Sequence, residues 1–223
     1  MRRLLIGAMG AALLGGQASA ATIQFTATDD GTVKTFGGDS VDTTSDTISV
    51  VQSGVNIVNG VLEFDLGAIG PGATVNAASL SLALARPVSN AIGATAEVDI
   101  FAYGGDGAVT IADFGAAGTQ VFDGSIPTGG SQLDIFNFNL TQLLPLQAQL
   151  GGLLTLRLET DSFASLAFLS MEQGFGAAFS PILTIDFTPA PTNPVPIPGA
   201  LPLFAAGLAS LGFARSKQRK PKA

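Results

Sequence analysis

The chain has 223 residues, 17 acidic and 10 basic, with no cysteine, histidine or tryptophan. The missing cysteine rules out disulfides, thiolate metal sites and a cysteine nucleophile; the missing histidine removes the commonest metal ligand and a common general base. All 17 acidic residues lie between Asp29 and Asp186, where only Lys34, Arg86 and Arg157 are basic, so 3 against 17 leaves −14 in that stretch, a sign that argues against nucleic acid as a partner.

Residues 1–20 carry Arg2 and Arg3, a short apolar run from Leu4 to Leu14, and the small-x-small pattern Ala18-Ser19-Ala20. This order predicts a signal peptide cut after Ala20 by signal peptidase. The run is too short for a membrane anchor and has no basic stop beyond it.

Residues 21–189 read as an ectodomain large enough for a core of its own. Period-two alternation puts Ile23 and Phe25 on one face of Thr22–Ala27. In Val61–Leu66 it sets Leu62, Phe64 and Leu66 inward, and Glu63 and Asp65 outward. It repeats over Ser79–Leu84 and over Glu97–Ala102, where Val98 and Ile100 oppose Glu97 and Asp99. Further on, Leu154, Leu156 and Leu158 oppose Arg157 and Glu159, and Leu183, Ile185 and Phe187 oppose Asp186. Strands buried on one face have this pattern. Weaker strand candidates are Val33–Phe36, Thr47–Gln52, Leu133–Phe138 and Leu166–Ser170. Gly67 to Gly72, Gly104-Gly105, Gly129-Gly130 and Gly151-Gly152 mark turns. One short helix is predicted over Thr141–Leu150, with Thr141 as its cap. The expected fold is all-β, an antiparallel, jelly-roll-like β-sandwich.

Three pieces in order support a family resemblance: Gly60-Val61-Leu62-Glu63-Phe64-Asp65-Leu66, then Ile69-Gly70-Pro71-Gly72-Ala73-Thr74-Val75, then Ala78-Ser79-Leu80-Ser81-Leu82. They resemble DNRLRE-type domains, which are similar to carbohydrate-binding jelly rolls of bacterial surface proteins. Gly70 stands where that family has proline, and Glu63 where it often has a basic residue. The resemblance implies a strand–turn–strand unit of a jelly roll.

Asp29, Asp30, Asp39, Asp42 and Asp46 crowd one polar stretch. Calcium takes six to eight hard oxygen ligands, which makes this the candidate calcium region; a solvated acidic loop is the other reading. Asp106 and Asp113 flank a second Gly-containing loop. Tyr103, the one tyrosine, is the candidate glycan contact, with a partly buried strand-end tyrosine as the alternative. No catalytic set is expected. A serine hydrolase would have only Lys34 as base in this region, no Gly-rich run carries a phosphate-loop lysine, and the carboxylates read as solubilising groups.

The C-terminal stretch combines a proline-rich linker at 190–198, an uncharged apolar segment at 199–214, and a basic tail at 215–223 with Arg215, Lys217, Arg219 and Lys220. The apolar segment predicts a helix of about 24 Å, marginal for a bilayer core of about 30 Å, and the basic cluster favours the cytoplasmic side. Val195-Pro196-Ile197-Pro198 ahead of that segment resembles the PEP-CTERM class of sorting signals, in its V-P-L-P-A-like variant. The resemblance implies recognition and removal by an exosortase-like inner-membrane enzyme. The precursor would be single-pass in the inner membrane, and the mature protein would lie at the cell surface or in exopolysaccharide. The expected function is a non-catalytic envelope or matrix protein. The alternative is a carbohydrate-binding module supported by calcium, with extracellular polysaccharide as partner.

Overall fold

The alternating segments become strands, longer than the pattern alone marks. The structure is a computed structural model that describes residues 19–191. Signal, sorting-motif, apolar-helix and basic-tail expectations, including Val195–Pro198 and Arg215–Lys220, lie outside the described residues, apart from Ser19 and Ala20. Among the described residues no helix is long and apolar enough to cross a membrane.

In chain order the strands are β1 (Ala21–Thr26), β2 (Asp29–Lys34), β3 (Ser40–Asp42), β4 (Thr47–Ser53), β5 (Asn56–Asp65), β6 (Thr74–Ala83), β7 (Ser89–Asn90), β8 (Thr95–Gly104), β9 (Thr119–Pro127), β10 (Ile135–Leu140), β11 (Leu153–Glu159), β12 (Ala164–Leu169) and β13 (Ile182–Thr188). A short helix α1 (Leu144–Ala148) precedes β11. The smaller sheet runs β1-β13-β6-β10. The larger runs β7-β12-β4-β5-β11-β8-β9, with β2 on the edge of β5 and β3 on β2. Every pairing is antiparallel.

The two sheets share one apolar core. Phe25, Leu80, Leu82, Phe138, Leu183 and Ile185 from the smaller sheet meet Leu62, Phe64, Ile100, Leu154, Leu156 and Phe168 from the larger. Phe138 stands edge-on to Phe168 across the layers, with ring centroids 6.1 Å apart. Each fully buried leucine or phenylalanine contributes about 1.5–3 kcal/mol, so this layer drives the fold. The all-β, two-sheet reading therefore holds.

Four local expectations change. The Val33–Phe36 strand lies earlier, as β2, and Phe36 is exposed. Leu133 sits in a turn at φ 74°, and β10 begins only at Ile135. The helix keeps only Leu144–Ala148, because Thr141 stays with the sheet: its N–H and hydroxyl both donate to the Val121 carbonyl, at 2.7 and 3.2 Å. Strand β9 falls in a stretch that the alternation does not mark; Pro127 is tolerated at its end because β9 is the edge strand beside β8.

Gly60 lets β5 pass under β4. A Cβ there would meet Ile48 Cγ2 at 2.6 Å, closer than any side chain permits.

Candidate functional site

The larger sheet is covered on its outer side as well. The register sets Asp29, Glu63, Thr155 and Tyr103 in one row across β2, β5, β11 and β8, and Gly31, Val61, Arg157 and Phe101 in the next. A third row holds Val33 beside Asn59 and Glu159 beside Asp99, joined by Asn59 Nδ2 donating to Glu159 Oε1 at 3.1 Å. Over these rows folds the segment 105–118, with a 3-10 turn at Ile111–Gly115. Val109 and Phe114 from this segment pack on Val33 and Val61, a second and smaller apolar cluster.

Polar side chains clamp the segment down. Tyr103 donates its hydroxyl to Asp113 Oδ1 at 2.9 Å, and Asp113 Oδ2 accepts the Thr110 N–H at 2.7 Å. Val109 N–H donates to Asp29 Oδ2 at 2.8 Å, and Asn59 Nδ2 to the Phe114 carbonyl at 3.2 Å. Arg157 is the hub. Its Nη1 donates to the carbonyls of Asp113 and Ala116 at 3.1 and 2.6 Å, and its Nε pairs with Glu159 at 2.6 Å. The guanidinium carbon lies 5.3 Å from the Phe101 ring centre and 5.9 Å from that of Tyr103. Only arginine offers a planar fork for two carbonyls and a carboxylate while also stacking on rings.

This layer corrects the outward assignment of Glu63, Asp99 and Arg157, all of which are buried. Burial raises the Glu63 carboxyl, a rise partly offset by the Thr155 hydroxyl, which donates to it at 3.3 Å. Gly105 makes the close approach possible: a Cβ there would meet Glu63 Oε2 at 2.8 Å and Leu153 Cβ at 2.9 Å. Asp65 does face solvent, and Glu97 is half-buried.

Among the described residues one set of three carboxylates converges. Glu97 and Asp99, two apart on β8, face Asp123 on β9, with one oxygen from each lying within 4.8 Å of the other two. Asp99 is buried and accepts from Gln120 Nε2 at 2.8 Å; the register shift between Ile100 and Phe101 brings Gln120 opposite Phe101. Burial first, then the neighbouring charges of Glu97, Asp123 and Asp161, push the Asp99 carboxyl up to about 6. Crowded anions of this kind are relieved by a proton or by a cation. Sequence reasoning missed the trio as a unit. The E-x-D spacing on one strand was visible, but the third member lies on the unanticipated β9.

The five aspartates of the candidate calcium region do not gather. Asp29 and Asp30 are adjacent on β2 and so point to opposite faces. Asp29 holds Val109, while Asp30 Oδ2 accepts the Met171 N–H at 2.7 Å. Burial, with Glu172 close by, pushes the Asp30 carboxyl up to about 7, and its Oδ1 is buried without a partner among the described residues. Asp42 Oδ1 caps its own turn through the N–H groups of Thr44 and Ser45, both at 3.1 Å. Asp39 and Asp46 are exposed. Of the second loop pair, Asp113 is spent on Tyr103 and Thr110, and Asp106 accepts the Ala108 N–H at 3.3 Å.

Tyr103 is half-buried with its hydroxyl committed to Asp113, and burial together with that carboxylate raises the phenol. It matches the strand-end alternative. Tyr103 also lines a cavity of about 550 Å³, shared with Gly118, Thr119, Leu144, Pro145 and Gln149.

Fold and site together define an all-β, two-sheet domain with a buried polar layer and an acidic trio at one side. No protein-family model matches the chain, and no curated protein matches it. Among solved structures, one titled "Structure of infectious bursal disease virus Gx strain" is similar at 12% identity and a TM-score of 0.20. The match covers 86% of this chain but 42% of that one, so the chain spans less than half the length of that viral protein. At that score the fold rests on the strand register above.

Proposed function

We propose that the chain is a non-catalytic, exported domain that binds extracellular polysaccharide with the help of a divalent cation, calcium in the first instance. The observation that carries this reading is the convergence of Glu97, Asp99 and Asp123 at the β8–β9 edge. A calcium ion held by three carboxylates still needs three to five further oxygens, which vicinal sugar hydroxyls or uronate groups supply. The absence of histidine and cysteine supports the non-catalytic part. Export, tail removal by an exosortase-like enzyme, and placement at the surface or in the matrix are part of the same proposal. They rest on the pattern of residues 1–20 and 190–223.

Calcium titration into the full-length chain by calorimetry tests the site. Saturable binding is expected, weakened at least tenfold by Asp99→Asn with Asp123→Asn, and weakened below about pH 6 as the Asp99 carboxyl takes a proton. Absence of saturable binding at millimolar calcium overturns it. Intact mass from the native host tests both cleavages.

A further inference from the structure

The edge of β5 changes partner part-way along its length. Asn56–Val58 pair with β4, and Val58–Glu63 pair with β2; β4 then departs to pair with β12. The fork between β2 and β4 opens a groove of about 340 Å³, within the range of small-molecule sites. Its walls are rich in hydroxyls: Thr32, Ser40, Thr47 and Ser49. Val51 and Val58 supply an apolar strip.

Two charged groups face this groove without neutralising each other. Lys34 and Ser40 are cross-strand partners on β2 and β3, as are Thr32 and Asp42. Among the described residues Lys34 has no carboxylate within 4.0 Å, in a region carrying 17 acidic side chains. Asp42 spends Oδ1 on its own turn, which leaves Oδ2 as an acceptor. Thr32 Oγ1 accepts the Ser49 N–H at 2.9 Å, so its own proton is free to donate.

From this we infer that the β2–β3–β4 groove is a subsite for a uronic acid residue of an acidic polysaccharide. The Lys34 ammonium pairs with the sugar carboxylate, Asp42 Oδ2 accepts from a ring hydroxyl, Thr32 and Ser49 meet further hydroxyls, and the valines take the apolar face of the ring. A neutral sugar leaves the ammonium unanswered. The inference rests on the polysaccharide reading above but uses a different surface from the acidic trio.

The experiment is calorimetric titration of the full-length chain with trigalacturonate and with cellotriose, each in calcium and in EDTA. Trigalacturonate is expected to bind in EDTA more tightly than cellotriose. Lys34→Ala should weaken trigalacturonate at least tenfold, and Lys34→Arg should retain most of it, with circular dichroism unchanged in both. Trigalacturonate binding within twofold of the parent in Lys34→Ala overturns the groove, as does binding that appears only with calcium and is lost in Asp99→Asn; that second result leaves the polysaccharide reading standing. Binding of neither trimer in either buffer overturns the groove and counts against the polysaccharide reading as well.

Discussion

The two faces of the larger sheet are both buried, yet they are held by different physics. On the inner face Leu62, Phe64, Leu154, Leu156 and Ile100 meet the smaller sheet through non-directional apolar contact. On the outer face Tyr103, Arg157 and Asn59 meet the segment 105–118 through hydrogen bonds of fixed length and direction, beside the buried Thr155–Glu63 pair. An apolar core tolerates a change of shape at constant volume. A polar layer tolerates little, because removing one partner strands the others away from water. The inner face therefore supplies stability, and the outer face determines where one particular loop lies.

The sharpest way to break this contrast is at neighbouring positions of β11. Arg157→Ala should cost about 3–5 kcal/mol in urea denaturation, since the Glu159 carboxylate loses its ion-pair partner and keeps only Asn59, while the carbonyls of Asp113 and Ala116 lose this donor. Amide exchange should rise selectively across residues 105–118. Leu156→Met, one residue away on the inner face, should cost less than about 1.5 kcal/mol and leave that exchange unchanged. If Arg157→Lys proves as mild as Leu156→Met, the distinction between the faces is wrong.

A second comparison uses pH. Asp30 is the buried acid whose Oδ1 lacks a partner, and its folded pKa of about 7 lies above the ordinary value of 3.8. The protonated form is thus favoured by folding. Its contribution is fully present below about pH 3.8 and is lost as pH rises to about 7. Asp30→Asn keeps an acceptor for the Met171 N–H without the charge. It should leave stability near that of the parent at acid pH, raise it by on the order of 1–3 kcal/mol at pH 8, and flatten the slope between. A parent chain whose melting temperature does not fall between pH 5 and 8 would contradict the assignment. The smallest effect is expected for Tyr103→Phe, about 1 kcal/mol, from loss of the bond to Asp113 while the ring stays against Arg157.

Much of the inner face was legible because a strand has period two: once Leu62, Phe64 and Leu66 are aligned, their direction is set. The trio Glu97, Asp99 and Asp123 was half legible. Glu97 and Asp99 share a face by spacing alone, but Asp123 joins them only through the β8–β9 register, from a stretch that the alternation does not mark. The scattering of Asp29, Asp30, Asp39, Asp42 and Asp46 was not legible, because closeness in sequence says nothing about which side of a strand each carboxylate takes. A signal for the covered outer face was nevertheless present. Val61 and Phe101 are apolar at positions whose same-face neighbours along the strand, Asn59 and Glu63 for the first and Asp99 and Tyr103 for the second, are polar, and a solvated face has no use for them.

By itself the order of residues determined an all-β chain, its apolar inward rows, and a strongly acidic central region between basic ends. Each of these follows from local periodicity or from counting. Tertiary structure alone decided that Glu63, Asp99 and Arg157 are buried, that three carboxylates meet at one edge, and that β2 and β4 part to leave a hydroxyl-lined groove. Those outcomes depend on where a distant segment folds back and on which strands become neighbours, contacts between residues tens of positions apart that no local pattern encodes.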